Sequence, residues 1–162
     1  MALNAYLMLK SQQQGTILGG VTEKGHEGAI MVIAANHEII SPRDVASGLP
    51  TGKRVHRPFV ITKELDKSSP LLYSAMVNNE NIIQWQLQFY RAGVNGTLKQ
   101  DYTVVLTNAS IAEIRFVMPN NKNPELVKLN EYEEIHFTYQ KIQWTWMDGN
   151  ITSSDSWIEP AV

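Results

Sequence analysis

Apolar and polar residues alternate along much of the chain with the two-residue period of β-strands. The clearest run is Ile83, Trp85, Leu87 and Phe89, interleaved with Gln84, Gln86, Gln88 and Tyr90. One face of this strand is apolar. The other carries uncharged polar side chains, as expected where a sheet meets water or a polar channel. Ile135, Phe137 and Tyr139 alternate in the same way, and the apolar positions then change parity to Ile142, Trp144 and Trp146. That change predicts a bulge or bend near Gln140-Lys141. Further strands are predicted over 3–9, 15–22, 29–35, 59–62, 102–106 and 111–118. In the last, Ile114, Phe116 and Met118 share a face opposite Glu113 and Arg115. Turn chemistry separates the strands: a polar stretch at 10–14, Glu23 to Gly28, the Gly93 and Asn95-Gly96 connection within 92–100, a polar turn at 119–124, and Asp148-Gly149-Asn150. Residues 153–162 read as a short tail containing Trp157.

One stretch breaks the β pattern. Lys63-Glu64 ends the run Phe59 to Thr62, and a helix is predicted to follow. Ser69 suits the N-cap and Pro70 the first helical position. Asp66 sets negative charge near the positive helix end. Leu71, Leu72, Ala75 and Met76 share a face, and Asn78-Asn79 suits a left-handed exit. A helix this short is marginal alone and must dock on the sheets. About eight strands and one helix imply a mainly-β domain, either a β-barrel or two packed sheets. The chain of 162 residues has the length for one domain over 1–162. Its longest loop, 41–53, is rich in Pro, Gly and Asp yet holds the apolar residues Val45 and Leu49. A loop of this length in a compact domain is usually functional or disordered.

Composition narrows the function. Net charge is −2, which points away from nucleic acid and anionic membranes. Charged residues make up 19%, below the roughly 25% of ordinary soluble domains, in keeping with a surface partly buried against copies of itself. The absence of cysteine removes disulfide and thiolate chemistry. No apolar run approaches the roughly 20 residues of a membrane span, so no membrane anchor is expected. The first ten residues lack a basic start and a small-residue cleavage site, and read as a strand and not as a signal peptide.

Catalytic motifs are lacking. Gly48 to Arg54 has three residues between its glycines where a phosphate loop has four, and Arg54 where that loop has Ser or Thr. His26, His37, His56 and His136 are scattered without metal-ligand spacing. Glu133-Glu134 reads as a strand entrance. Lys53, Arg54, His56 and Arg57 form a basic cluster without an aromatic platform, which favours a solvated or intersubunit surface over nucleic-acid binding. A non-enzymatic protein without cofactor or metal is expected.

The combination of Gly52-Lys-Arg54-Val-His56-Arg-Pro58-Phe59, then Lys63, then Asp66-Lys-Ser-Ser69-Pro70-Leu-Leu-Tyr73-Ser-Ala75 resembles the signature block of the Hcp (haemolysin-coregulated) proteins. Phe89-Tyr90-Arg91, Glu134-Ile135, Tyr139-Gln-Lys-Ile142-Gln-Trp144 and Ser154-Asp155-Ser156-Trp157 extend the likeness over nearly the whole chain. Asn79 departs from it, standing where relatives often carry Gly. The resemblance implies a single β-barrel of two packed antiparallel sheets, with one short helix at its side and one long extended loop. It implies homo-hexameric rings that stack into the inner tube of a type VI secretion system. It also implies a contractile sheath around the tube, a spike protein at its tip, and effector proteins in its lumen. The protein would be made in the cytoplasm and secreted, outside the cell or into target cells, by that machine. On this basis Pro42, Arg43, Asp44, Val45, Leu49 and Pro50 are expected to join one ring to the next, ordering only when the neighbour arrives. The basic end, Lys53 to Arg57, would face acidic residues of the adjacent ring. Tyr73, Val77, Arg54 and Arg57 are expected at the subunit interface. Asn36, or the face of Gln84, Gln86 and Gln88, is expected to line the lumen. Two other readings share the architecture: a phage tail-tube protein and a monomeric ligand-binding barrel.

Overall fold

The computed structural model describes residues 1–158. Thirteen strands and one helix follow in order: β1 Ala5–Ser11, β2 Gly15–Ile17, β3 Ile30–Val32, β4 Ala34–Asn36, β5 Ile39–Ile40, β6 Val55–His56, β7 Phe59–Glu64, α1 Ser69–Val77, β8 Ile82–Ala92, β9 Leu98–Thr107, β10 Ser110–Val117, β11 Tyr132–Thr138, β12 Lys141–Trp146 and β13 Ile151–Ser156. The mainly-β class with one short helix is as expected. All pairing is antiparallel. A seven-stranded sheet runs β13-β12-β9-β8-β1-β2, with β3 also on β1. A four-stranded sheet runs β10-β11-β7-β4, and β5-β6 form a separate ribbon.

The strand count exceeds the eight expected because the chain repeatedly changes sheets. The predicted strand 29–35 is two strands, β3 on β1 and β4 on β7. Between them Ile33 points outward, and its N–H donates to the Thr62 carbonyl at 2.9 Å. The parity change after Tyr139 has the same cause, since β11 belongs to the smaller sheet and β12 to the larger. Residues 151–156 pair with β12, so the first four residues of the expected tail, 153–156, belong to an edge strand. The tail's last four residues, 159–162, lie outside the described residues.

The two sheets face each other across an apolar core. Leu7, Leu9, Leu87, Val104, Leu106 and Ile142 come from the larger sheet, and Phe59, Ile61, Ile135 and Phe137 from the smaller. Trp85 of β8 sits fully buried between the rings of Phe59 and Phe137, edge-on to both at 5.2 and 5.5 Å. The interior space that a ligand-binding barrel needs is occupied by these side chains. One sequence expectation fails here because of a shifted register. A bulge between Lys10 and Ser11 pairs Ile82 with Ser11, so Ile82 is buried and Ile83 is exposed. On β10, Ile114 and Phe116 share the face opposite Ile135 and Glu133 as expected, though Phe116 and Met118 are half-exposed.

The helix docks as expected through Leu72 and Ala75, both buried, with Met76 against the same core. Leu71 instead stays partly exposed. The cap also differs. Ser68 is the N-cap, and its N–H donates to Asp66 Oδ1 at 2.8 Å. The Ser69 hydroxyl turns inward, where it accepts from the Asp66 N–H and from the Lys63 ammonium. Lys63 and Glu133 do not end strands. They lie within β7 and β11 as a fully buried ion pair of 2.6 Å, with Asp66 Oδ1 3.1 Å from the same ammonium. Sequence alternation carries no sign of this pairing, because the partners lie 70 positions apart. At the far end Asn79 takes φ of 50°, and the Asn79 and Glu80 N–H groups close back on the Met76 and Ala75 carbonyls. Asn fills this left-handed position at little cost because its short side chain tolerates it.

Leu72→Ala is expected to lose about 2–5 kcal/mol, because it leaves a cavity beneath the largest buried side chain of the helix. Lys63→Ala is expected to lose about 3–5 kcal/mol, because it strands Glu133 without its counter-charge. Urea unfolding checks both; a wild-type midpoint for either variant contradicts the docking described.

Candidate functional site

The most exposed ordered feature is the ribbon β5–β6 and the segment it carries. Ile39 pairs with His56 and Ile40 with Val55. Beyond them the chain does not wander as a structureless loop. Arg43 bridges Pro50, the Thr51 N–H donates to the Pro42 carbonyl at 3.0 Å, and the Asp44 N–H donates to the Leu49 carbonyl at 2.8 Å. The turn is closed by Asp44, whose carboxylate accepts from the Ala46 N–H and the Ser47 hydroxyl. Those bonds hold the carboxyl below its ordinary value. The tip therefore has a ladder of its own. It carries Val45 fully exposed and Leu49 65% exposed. The hairpin thus presents an apolar pair to water.

The root of the hairpin is polar and part-buried. His37 precedes β5 and His56 ends β6. Both imidazoles converge on one phenol: the Tyr139 oxygen lies 2.7 Å from His56 Nδ1 and 2.8 Å from His37 Nε2. His56 Nε2 is 2.8 Å from Asp155 Oδ2. Arg54 grips the same carboxylate with Nε and Nη2, and Nη2 also donates to the Ser156 carbonyl at 3.2 Å. Aromatic rings wall the cluster. Trp157 stacks on His56 at 5.6 Å, Phe59 stacks on His37 at 5.1 Å, and Tyr139 meets Trp157 edge-on. The Arg54 guanidinium holds the Asp155 carboxyl down at about 2; partial burial opposes it and His56 reinforces it. Burial and the Asp155 charge push the Tyr139 phenol up.

Sequence reasoning grouped Lys53, Arg54, His56 and Arg57 as an outward basic cluster, and treated the histidines as unrelated. Two of those assignments change. Arg54 is engaged inside its own subunit by Asp155, and His56 is buried. Lys53 donates to the Ile158 carbonyl at 2.5 Å, while Arg57 is exposed. Asp155 and Tyr139 were not seen as partners because they lie 101 and 83 positions from Arg54 and His56. A legible hint was present: a histidine stands at each end of the long loop.

The remaining candidates fall on three other surfaces. Tyr73 and Val77 lie on the outer side of α1, Val77 being 76% exposed. Asn36 is on the outer face of the four-stranded sheet, in the row Asn36, Val60, His136, Glu113. It borders a cleft of about 420 Å³ lined also by Thr62 and Glu134. Gln84, Gln86 and Gln88 are on the outer face of the seven-stranded sheet, beside Lys10, Met8 and Tyr6. The two lumen candidates therefore face opposite ways from the core.

Comparison with known proteins agrees along the whole fold. A family model described as "Type VI secretion system effector, Hcp" matches residues 6–146. The chain is 41% identical to the "Major exported protein" of Pseudomonas aeruginosa, over 99% of this chain and 98% of that protein. Among solved structures it resembles one described as Hcp protein, with TM-score 0.90, 30% identity, and coverage of 97% of this chain and 99% of the other. Hcp1 from E. coli EAEC 042 follows at TM-score 0.85 and 34% identity, covering 96% and 99% of the two chains.

Acid should weaken the root in a window set by Asp155. Its folded pKa lies below its ordinary 3.8, so its contribution is complete above that value and is lost as pH falls toward about 2. Asp155→Asn is expected to melt lower than wild type at pH 7 and to lack the wild-type decline between about pH 4 and 2. An equal acid decline in both proteins, followed by circular dichroism, would show that the carboxylate does not anchor the hairpin.

Proposed function

The chain belongs to the Hcp family of type VI secretion proteins, and on that premise we propose that it is the building block of the secretion tube. Six copies close into a ring, rings stack into a tube, and effector proteins travel in its lumen. A spike protein caps the tube, a contractile sheath surrounds it, and contraction drives it out of the cell. The protein acts as a structural element and not as an enzyme.

One observation carries the stacking step: the built hairpin that presents Val45 and Leu49 to water on a polar, anchored root. A mobile loop would lose conformational freedom on docking, whereas an ordered hairpin has most of that cost behind it. Pro42, Arg43, Asp44 and Pro50 shape the tip, and Val45 and Leu49 make the contact with the next ring. Exposed ion pairs are worth only about 0–1 kcal/mol each, so charge at Arg57 tunes stacking and apolar burial drives it. Side-by-side contact uses the outer side of α1, with Tyr73 and Val77, together with the surface around Arg57. Arg54 serves this contact indirectly by fixing the root.

Replacing Val45 to Pro50 with a short Gly-Ser bridge is expected to leave rings intact and to abolish tube growth and secretion. Shortened protein that still polymerises and is exported would move the stacking surface elsewhere. Tyr73→Asp is expected to weaken ring formation more than folding; an intact ring by light scattering alongside a normal melt would remove Tyr73 from the interface. The lumen is tested by Asn36→Cys and Gln86→Cys in assembled tubes, treated with a thiol reagent too large for the pore. Because the two sites face opposite ways, one is expected to label and the other to be protected, Asn36 being our choice for the cargo contact. Full labelling of both would show that neither face lines a lumen.

A further inference from the structure

We infer that the root of the hairpin is a proton-counting latch: the chain Asp155–His56–Tyr139–His37 stays closed with neither or one imidazole charged, and opens when both are charged. The consequence for tube assembly rests on the proposed stacking role, but the latch itself does not.

The geometry dictates the count. Three contacts join four groups: Asp155 to His56 Nε2, His56 Nδ1 to the Tyr139 oxygen, and that oxygen to His37 Nε2. Each needs one proton. Two neutral imidazoles and one phenol supply three, arranged in one direction: His37 Nε2–H donates to Tyr139, Tyr139 O–H donates to His56 Nδ1, and His56 Nε2–H donates to Asp155. One added proton is accommodated by reversal. His56 becomes an imidazolium that donates to Asp155 and to the Tyr139 oxygen, and the phenol turns its hydrogen to His37 Nε2. His37 then carries its own proton on Nδ1, toward the Arg57 backbone that supports its charge, a contact left without a proton in the fully neutral arrangement. A second added proton has no place. Two N–H groups would point at one phenol oxygen, and the phenol hydrogen would have no acceptor in a largely buried site, where an unsatisfied polar group is costly.

The surrounding charges favour this arrangement. Asp155 touches His56 and not His37, so a charge on His56 is the better compensated of the two. His37 is held below its ordinary value by burial, and by the nearby His56. Arg54 stays on Asp155 throughout, and the other charged side chains on the adjoining segments, Glu38, Lys53, Arg57 and Lys141, are exposed. Charging both histidines therefore detaches the His37 arm while Arg54–Asp155 holds the other, and the hairpin pivots on that tie. Neutral pH fixes the stacking contact, and acid frees it without unfolding the sheets.

The test is hydrogen exchange by mass spectrometry on the full chain in unstacked rings, from pH 7.5 downward. Imidazole C2–H exchange reads each histidine, and amide exchange reads segment 37–57 against segment 84–90. Hairpin protection is expected to follow the charging of His37. Once corrected for intrinsic rates, hairpin protection should fall roughly tenfold per pH unit below the His37 midpoint, with the core segment unchanged. His56→Asn is expected to raise the His37 midpoint. Tyr139→Phe, which keeps the ring and removes the shared oxygen, is expected to give a hairpin that is loose at every pH and does not respond further. An unmoved His37 midpoint in His56→Asn, hairpin protection indifferent to His37 charging, or hairpin and core loosening together would each overturn the latch. Rings that show the latch but never stack would count against the tube role alone.

Discussion

A single phenolic oxygen governs the part of this molecule that reaches outward. Tyr139 sits where the chain leaves the four-stranded sheet and enters the seven-stranded one, and its hydroxyl ties both ends of the hairpin to that crossing. A buried hydroxyl shared by two imidazoles tolerates little displacement, because any gap leaves a polar group without a partner at about 1–3 kcal/mol. The hairpin tip buries nothing and draws no rigidity from packing. Its direction in space is inherited from the root.

Two other buried polar knots do the same work elsewhere. Lys63, Glu133, Asp66 and Ser69 fix the start of the helix on the smaller sheet. Glu80 accepts from Ser11 and Gln14, joining the helix exit to the first hairpin of the larger sheet. The apolar core holds the sheets face to face, and the knots set where the surface elements stand. In the proposed ring that placement matters as much as stability, since small tilts repeat at every contact around a closed assembly.

Much of this was legible in the sequence, and the limits have physical causes. The Gln84 to Phe89 strand, the helix with its Asn79 exit and the bend after Tyr139 all rest on local period or local turn chemistry, and all appear. The failures are non-local. Ile82 replaces Ile83 in the core because of a bulge set by the partner strand β1. Lys63 and Glu133 are buried because each neutralises the other across two strands, and β13 is a strand because β12 offers it an edge. At the candidate site, the loop and its exposed apolar pair were visible as composition. The root was not, since it joins residues 37, 56, 139 and 155, which no spacing rule connects.

Ring closure is the claim on which stacking, lumen and export all depend. It is tested most directly by the mass of the purified protein in solution, by light scattering coupled to size exclusion. A mass six times the 18.3 kDa of the chain is expected, held as the protein is diluted. A mass of 18.3 kDa at all concentrations would contradict the tube-subunit role.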